Sequence, residues 1–352
     1  MCAIKVGVIG LGMIAEQVHL PGLSSSPNAE IYAICDKNAA RLHVIGERFH
    51  ISPEKRFQDY MDLIQLPEIQ AVDIATPNFA HLEPVLAAYK NGKHVCIEKP
   101  IALNYPQALE MEAHAKTSGM TTMVCFSFRF NAAVRFAKWI IDEGCIGKVL
   151  NVYVQYLKSA AFDKSRGLEW RFQKELAGSG VLGDLGSHMV DMTSFLAGEI
   201  KSVCSKTGIA IAERKLLDSS QMGHVSTDDC CSTIASLECG GHASIIVSRC
   251  AVAVGNENSV KVAVYGDQGM VRFDSEKPFE IEACSGKLDF TTGSAHTFEV
   301  PKSFYAEQMD CFARNVGGDT DRYLPVLRDG VRCQKILDAM INSDENGKWV
   351  EV

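Results

Sequence analysis

The sequence predicts two unlike units, an α/β unit on a parallel sheet followed by an α+β unit on a large, mostly antiparallel open sheet. Three observations carry this expectation. The first third alternates short β-branched runs with helical patterns of ten or more residues, the mark of βαβ units. Beyond about residue 126 the apolar residues fall into period-two alternation, as in half-buried antiparallel strands. The chain has 352 residues, which suggests two domains rather than one. The expected domains are 1–126 and 127–352.

In order, 4–9 is a strand and 13–23 a helix whose later part is disturbed by His19-Leu20-Pro21. A second strand at 30–35 precedes a helix over 38–49. Strand 71–75, helix 79–91 closed by Gly92, and strand 95–98 follow. Asn104 caps a helix over 105–117, Gly119 ends it, and 122–126 is the next strand. In the second unit 130–143 is helical and 148–158 alternates. Further strands are expected at 232–237, 242–249, 260–265, 269–273, 279–283, 287–290 and 297–300, with helices at 187–196, 304–315 and 324–342. Small and charged residues over 160–168, just before Trp170, predict a mobile loop near a site.

Bulk properties exclude several classes. Net charge is −8 with no Lys/Arg block, so neither nucleic acid nor an anionic membrane is expected as partner. The thirteen cysteines are scattered and include no Cys-x-x-Cys pair, and Cys230-Cys231 lies in a strand-like stretch that points the two side chains apart. Neither a metal site nor a disulfide framework is expected, and reduced thiols point to the cytoplasm. The apolar N-terminus carries no cleavage signature. No run approaches eighteen uninterrupted apolar residues, so no membrane span is expected.

Gly10-Leu11-Gly12-Met13-Ile14-Ala15 places G-x-G-x-x-A between a strand and a helix. Gly10 permits a tight turn, Gly12 lets the backbone approach a pyrophosphate, and Ala15 allows close helix–strand packing. Met13 and Ile14 begin the helix that faces the anion. Asp36 ends the second strand 24 residues after Gly12, where a carboxylate meets the adenosine ribose. This favours NAD, although Lys37 and Arg41 could partly neutralise a 2′-phosphate and leave NADP open. Ala75-Thr76-Pro77-Asn78 ends the third strand, with Asn78 placed to cap the helix that carries His81.

Two stretches carry chemistry. Glu98-Lys99-Pro100 leaves the carboxyl end of a buried parallel strand, the edge where ligands of such sheets bind. A lysine there can polarise a carbonyl or hydroxyl oxygen, or serve as an acid-base group once partial burial lowers its pKa. A glycine-rich loop, 178–186, runs into a helix with Asp184 and His188 four apart, on one face at a helix start. That spacing suits a carboxylate that orients an imidazole or shares a substrate hydroxyl with it.

Taken together, G-x-G-x-x-A, Ala75-Thr76-Pro77-Asn78, His81, Glu98-Lys99-Pro100 and Asp184-x-x-x-His188 resemble the glucose–fructose oxidoreductase/inositol dehydrogenase (Gfo/Idh/MocA) family. The resemblance extends to Trp170-Arg171, Asp329-Gly330 and Lys348-Trp349-Val350, and so covers essentially the whole chain. It implies a Rossmann domain and NAD(P)-dependent hydride transfer at a secondary carbinol of a sugar, cyclitol or related polyol. By matching position, Lys99 holds the reacting oxygen, Asp184 orients the substrate, and His188 carries the hydroxyl proton. Glu98 positions Lys99 or the nicotinamide ribose, and Lys99-Pro100 is a cis peptide. Thr76, Asn78 and His81 join the cofactor site; Arg129, Trp170, Arg171 and Tyr305 join the substrate site. Ala132-Ala133 stands where many relatives have a proline, which weakens the reading of Arg129. The open sheet is a candidate surface for a homodimer or homotetramer. Two other functions fit the same residues, a dinucleotide-responsive regulator without turnover and an NAD-dependent glycoside-processing enzyme using oxidation–elimination.

Overall fold

The computed structural model describes residues 3–252, 258–285 and 294–352. The expected strand 287–290 lies outside them. The chain divides into two compact units, 1–126 with 306–331, and 127–305 with 332–352.

In the first unit, β1 (Ile4–Ile9), β2 (Ala29–Cys35), β3 (Arg56–Phe57), β4 (Ala71–Ile74), β5 (His94–Ile97) and β6 (Thr122–Val124) form one parallel sheet. The order β3-β2-β1-β4-β5-β6 reverses direction between β1 and β4. That reversal opens a crevice at the carboxyl ends of the strands, where such sheets take their ligands. Strand β4 is buried throughout, as its Ala-Val-Asp-Ile sequence requires of a central strand except at its aspartate.

The connecting helices are α1 (Leu20–Ser25), α2 (Ala39–Arg48), α3 (Tyr60–Ile64), α4 (Leu82–Lys90) and α5 (Tyr105–Ser118). Asn38 and Asn104 accept the N–H of Arg41 and Gln107 at their starts, and Gly119 ends α5 at φ 69°. The predicted helix 13–23 is a helical run that starts at Met13, passes through a π-helical turn, Ala15–His19, and continues as α1.

The sequence assigned everything after residue 126 to the second domain, but 306–331 packs with the first unit. The backbone of Val124 donates to Pro325 O at 2.9 Å, and Met123 bridges Val326. Asp310 Oδ1 accepts from Ser26 Oγ (2.7 Å) and Asn28 Nδ2 (2.9 Å). Edge-strand β6 thereby gains main-chain partners that the first 126 residues do not supply.

In the second unit, α6 (Ala132–Asp142) leads into β7 (Val149–Lys158), the strand about which the larger sheet is organised. After α7 (Lys174–Ala177) and α8 (Ser187–Ala197) come β8 (Ile200–Gly208), the short hairpin β9 (Glu213–Lys215) and β10 (Met222–His224), β11 (Cys230–Leu237) and β12 (His242–Ser248). Then follow β13 (Asn258–Gly266), β14 (Gly269–Asp274), β15 (Glu280–Ser285), β16 (His296–Glu299) and, at the end of the chain, β17 (Val350–Glu351). The nine-stranded order is β16-β15-β14-β13-β7-β12-β11-β8-β17, antiparallel except where β12 pairs with β7. Helices α9 (Gln308–Val316) and α10 (Leu327–Asn346) complete the chain. Alternation sorts one face of the sheet inward: Val152, Val154, Ala235, Ile245 and Val262 are buried while Tyr153, Ile234 and Ile246 are exposed.

Candidate active site

The glycine turn is sterically obligatory. Gly10 sits at φ 88°, and a Cβ there would lie 2.8 Å from the Thr76 backbone nitrogen and 2.9 Å from Ala75 O. A Cβ at Gly12 would meet nothing within 4 Å, which leaves room above the turn. Met13 and Ile14, apolar yet 63% and 38% exposed, flank that space. Asp36 reaches back to the turn: its Oδ2 accepts from Leu11 N and its Oδ1 from Asn38 N, both at 2.8 Å. Of the two cations that could neutralise a 2′-phosphate, Arg41 donates to Leu11 O and to Glu16 Oε2 (3.0 Å), while Lys37 is exposed. A turn that only glycine can make, open space over the second glycine and a carboxylate tied to the loop fit a dinucleotide.

The ends of β4 and β5 are bound to each other. Thr76 Oγ1 donates to Ala80 O at 2.9 Å. Asn78 does not take the capping position of α4, which His81 occupies. It opens a 3₁₀ turn, Asn78–Ala80, with Pro77 in the capping position. His81 is fully buried, its Nδ1 3.0 Å from Pro100 O and its Nε2 2.9 Å from Thr76 O. Burial pulls its pKa below the ordinary value, against the two carbonyls. It joins the β4 end to the cis Lys99–Pro100 turn and has no exposed surface to offer a ligand.

Glu98 is 13% exposed at the end of β5. Its Oε2 accepts the Lys99 N–H at 3.1 Å, and its Oε1 lies 3.0 Å from His19 Nε2. Burial would raise the Glu98 pKa, but the hydrogen bond and charge of His19 outweigh it and hold it below the usual value. His19 in turn meets Asp73 of β4 at 2.9 Å. Neither His19 nor Asp73 was expected in the site. A lone acid in an otherwise apolar strand was the available signal.

In the second unit, the Asp228 carboxylate accepts from Gly180 N (2.7 Å) and Leu182 N (2.8 Å) of the glycine-rich loop. A Cβ at Gly180 would collide with the Asp228 backbone, so loop and carboxylate require each other. Burial pushes the Asp228 pKa up, against the loop N–H groups. Sequence reading missed Asp228, which lies 48 residues from Gly180. The loop enters a π-helical turn, Leu182–Gly186, that holds half-buried Asp184; His188 lies in the first turn of α8. The pair therefore spans a π turn rather than a regular α-helical start. The His188 ring packs edge-on to Phe128 at 5.0 Å and tilted to Tyr156 at 6.2 Å.

Arg129, expected at the substrate, is 4% exposed and forms a fork with Asp191, Nε–Oδ2 at 2.9 Å and Nη2–Oδ1 at 2.5 Å. Its guanidinium also lies 4.6 Å over the Phe195 ring. Closed on a buried carboxylate and an aromatic face, it offers a ligand almost no surface. Trp170 and Arg171 stack on one another at 4.4 Å in a 3₁₀ turn. Tyr305 is 46% exposed and stacks with Phe279 at 4.9 Å.

A six-stranded parallel sheet with a glycine turn at its reversal and an acidic residue at the end of β2 defines a dinucleotide-binding fold. Residues 4–126 match the model of an oxidoreductase family with an NAD-binding Rossmann fold, and residues 134–272 match the GFO/IDH/MocA C-terminal domain. The chain belongs to the GFO/IDH/MocA family. It is 31% identical to levoglucosan dehydrogenase of Pseudarthrobacter phenanthrenivorans over 85% of this chain and 84% of that one. It is 26% identical to glucose-6-phosphate 3-dehydrogenase of Bacillus subtilis, over 99% of this chain and 98% of that one. A solved levoglucosan dehydrogenase in complex with NADH and levoglucosan is 28% identical, with a TM-score of 0.89 and 99% of both chains covered. Among the described residues no helix is long and apolar enough to cross a membrane.

Proposed function

We propose that the chain is a cytoplasmic NAD(H)-dependent dehydrogenase acting on a secondary alcohol or ketone of a sugar, cyclitol or related polyol. The observation that carries this is the anchoring of Glu98 and Lys99 by His19, which follows the glycine turn in the same unit. A cation that can serve a reacting oxygen thus leaves the sheet edge that receives the cofactor. The relatives named as dehydrogenases of levoglucosan and glucose 6-phosphate support the substrate class.

Gly10, Gly12, Met13, Ile14, Asp36, Thr76, Asn78 and Glu98 would hold the dinucleotide, with His81 supporting Thr76 from behind and Lys37 at the rim. NAD supplies the hydride acceptor for the alcohol carbon. Lys99 binds the substrate oxygen and stabilises the negative charge that grows there as the proton leaves. His188 takes that proton from the hydroxyl, and Asp184 orients the substrate. Trp170, Arg171 and Tyr305 are assigned to the substrate side.

A panel of anhydrosugars, sugar phosphates, aldoses and inositols, followed at 340 nm with both cofactors, tests the reading. NADH formation with at least one member is the expected result. Clear NADH binding with no absorbance change for any member would point instead to a regulator, and a released aglycone without net NADH to oxidation–elimination. Because Arg41 is engaged and Asp36 closes on the glycine turn at the strand end where a ribose-binding carboxylate is expected, NADP is expected to bind about tenfold or more weakly than NAD. Equal affinities in a calorimetric titration would remove the role given to Asp36.

The exposed sheet face is assigned to self-association as a homodimer or homotetramer. It combines Tyr153, Ile234 and Ile246 with a hollow of about 500 Å³ lined by Lys261, Arg272 and Asp274. Sedimentation velocity is expected to show a dimer or tetramer that Ile246→Asp weakens. A concentration-independent monomer would remove the assignment.

A further inference from the structure

Asp73 is a carboxylate with no exposed surface in the middle of the parallel sheet. Isolated there, it would be costly. Its partner is equally buried His19, whose Nδ1 lies 3.0 Å and 2.9 Å from the two Asp73 oxygens. The other ring nitrogen lies 3.0 Å from Glu98 Oε1. A neutral imidazole donates from one nitrogen only and would set a lone pair against the second carboxylate, whereas an imidazolium donates to both.

The surroundings agree. Asp73 comes from β4, Glu98 from the end of β5, and Cys125 from just beyond β6. Cys96 Sγ lies 3.3 Å from Cys125 Sγ, and Lys99 adjoins Glu98. Burial alone would lower the His19 pKa, but the charge of Asp73, then Cys125, and their hydrogen bonds outweigh it and hold it well above the ordinary value. His19, Asp73 and Cys125 could in principle gather around a metal ion. With a carboxylate at each ring nitrogen, however, His19 is placed as a double donor. The π turn over Ala15–His19 adds a residue to the first helical turn and alters where His19 points relative to an α-helix.

We propose that Asp73 and His19 are a positioning pair for hydride transfer. Asp73 holds His19 as an imidazolium, His19 clamps one oxygen of Glu98, and the other oxygen of Glu98 fixes the Lys99 backbone from which the reacting cation projects. No proton travels along this chain; it acts by orientation. A buried ion pair adds little stability over apolar residues of the same volume, so a geometric role accounts for its presence better than a stabilising one. His19 is charged below its raised pKa and loses that charge as pH rises through it, so the influence of the pair on rate fades on the alkaline side.

This inference rests on the dehydrogenase reading of Lys99, and the test separates the two. In ¹⁵N-histidine-labelled protein, both His19 nitrogens are expected to stay protonated well above the pH at which an ordinary imidazole titrates, and Asp73→Asn to bring that titration down. With the panel sugar that reduces NAD fastest, Asp73→Asn is expected to lower kcat about 10–100-fold while the KM for NAD changes less than about threefold. Glu98→Gln is expected to cost a similar factor, and the double variant no more than the larger single loss. A purely structural pair would lower the melting temperature and leave kcat per folded molecule unchanged. An active wild type whose His19 titrates near 6.5, or whose Asp73→Asn form keeps the wild-type kcat, overturns the positioning role alone. Should Asp73→Asn fail to fold, the wild-type titration and Glu98→Gln decide. A wild type that turns over no sugar removes the dehydrogenase reading and this role with it.

Discussion

Replacing Lys99 with alanine is expected to lower kcat by about 10²–10³, the usual loss when one donor to a developing oxyanion is removed. NADH binding should survive, because the glycine turn, Asp36 and the Glu98 carboxylate do not depend on the lysine's ammonium group. Lys99→Arg is not expected to restore the rate, since a planar fork cannot stand in for a compact ammonium at one oxygen. His188→Ala should cost about 10²–10⁴ by removing the base. The base loss should shrink at high pH, where the substrate hydroxyl gives up its proton more readily to solvent, and the lysine loss should not. Single-turnover rates beside NADH titrations would check both, and wild-type kcat in either variant removes that residue from the site.

The largest expected effect on stability lies at Asp191. Removing it leaves the Arg129 guanidinium charged and enclosed, and breaking a buried pair from one side costs about 3–5 kcal/mol. All three tryptophans, Trp139, Trp170 and Trp349, belong to the second unit, so their fluorescence in urea reports that unit. Asp191→Ala should shift this transition strongly. Arg129→Met combined with Asp191→Leu should recover most of the loss, because two apolar groups owe no desolvation cost. A shift below about 1 kcal/mol would mean that water reaches the guanidinium and solvates it. The same pair explains why Arg129 looked like a substrate contact in sequence. An arginine just before a helix, close to a site, cannot be told from one that closes onto a carboxylate 62 residues later.

Much of the fold was legible because its periods are clean. Strands β1, β2, β4 and β5 are short apolar runs bounded by turns, β11 and β12 alternate without a break, and β7 alternates from Asn151 to Leu157. Strand β8 escaped because Ser202 and Ser205 face inward and the register shifts between Ser236 and Leu237 of its partner. Inward serines erase the apolar signal, and a register shift erases the period. Strand β3 has two residues and the β9–β10 strands three each, too short to show any period. The site residues that sequence reading proposes, Gly10, Asp36, Glu98, Lys99, Asp184 and His188, all lie within compact motifs. Residues that serve at a distance escaped it. Asp228 reaches a loop 48 residues away, and the two π turns redirect side chains by an amount that 3.6-residue counting cannot supply.

The grouping of 306–331 with the first unit also sets an order in time. A ribosome delivers residues 1–126 well before Pro325 and Val326 exist, so β6 waits with its outer edge open while the rest of the sheet can already form. The cofactor-binding half is therefore not finished first, although it is read first. An expression plasmid that stops at residue 126 would yield a sheet with a sticky margin, prone to pairing with its neighbours. Grafting 306–331 behind a short linker is the more promising way to obtain this half as a separate piece.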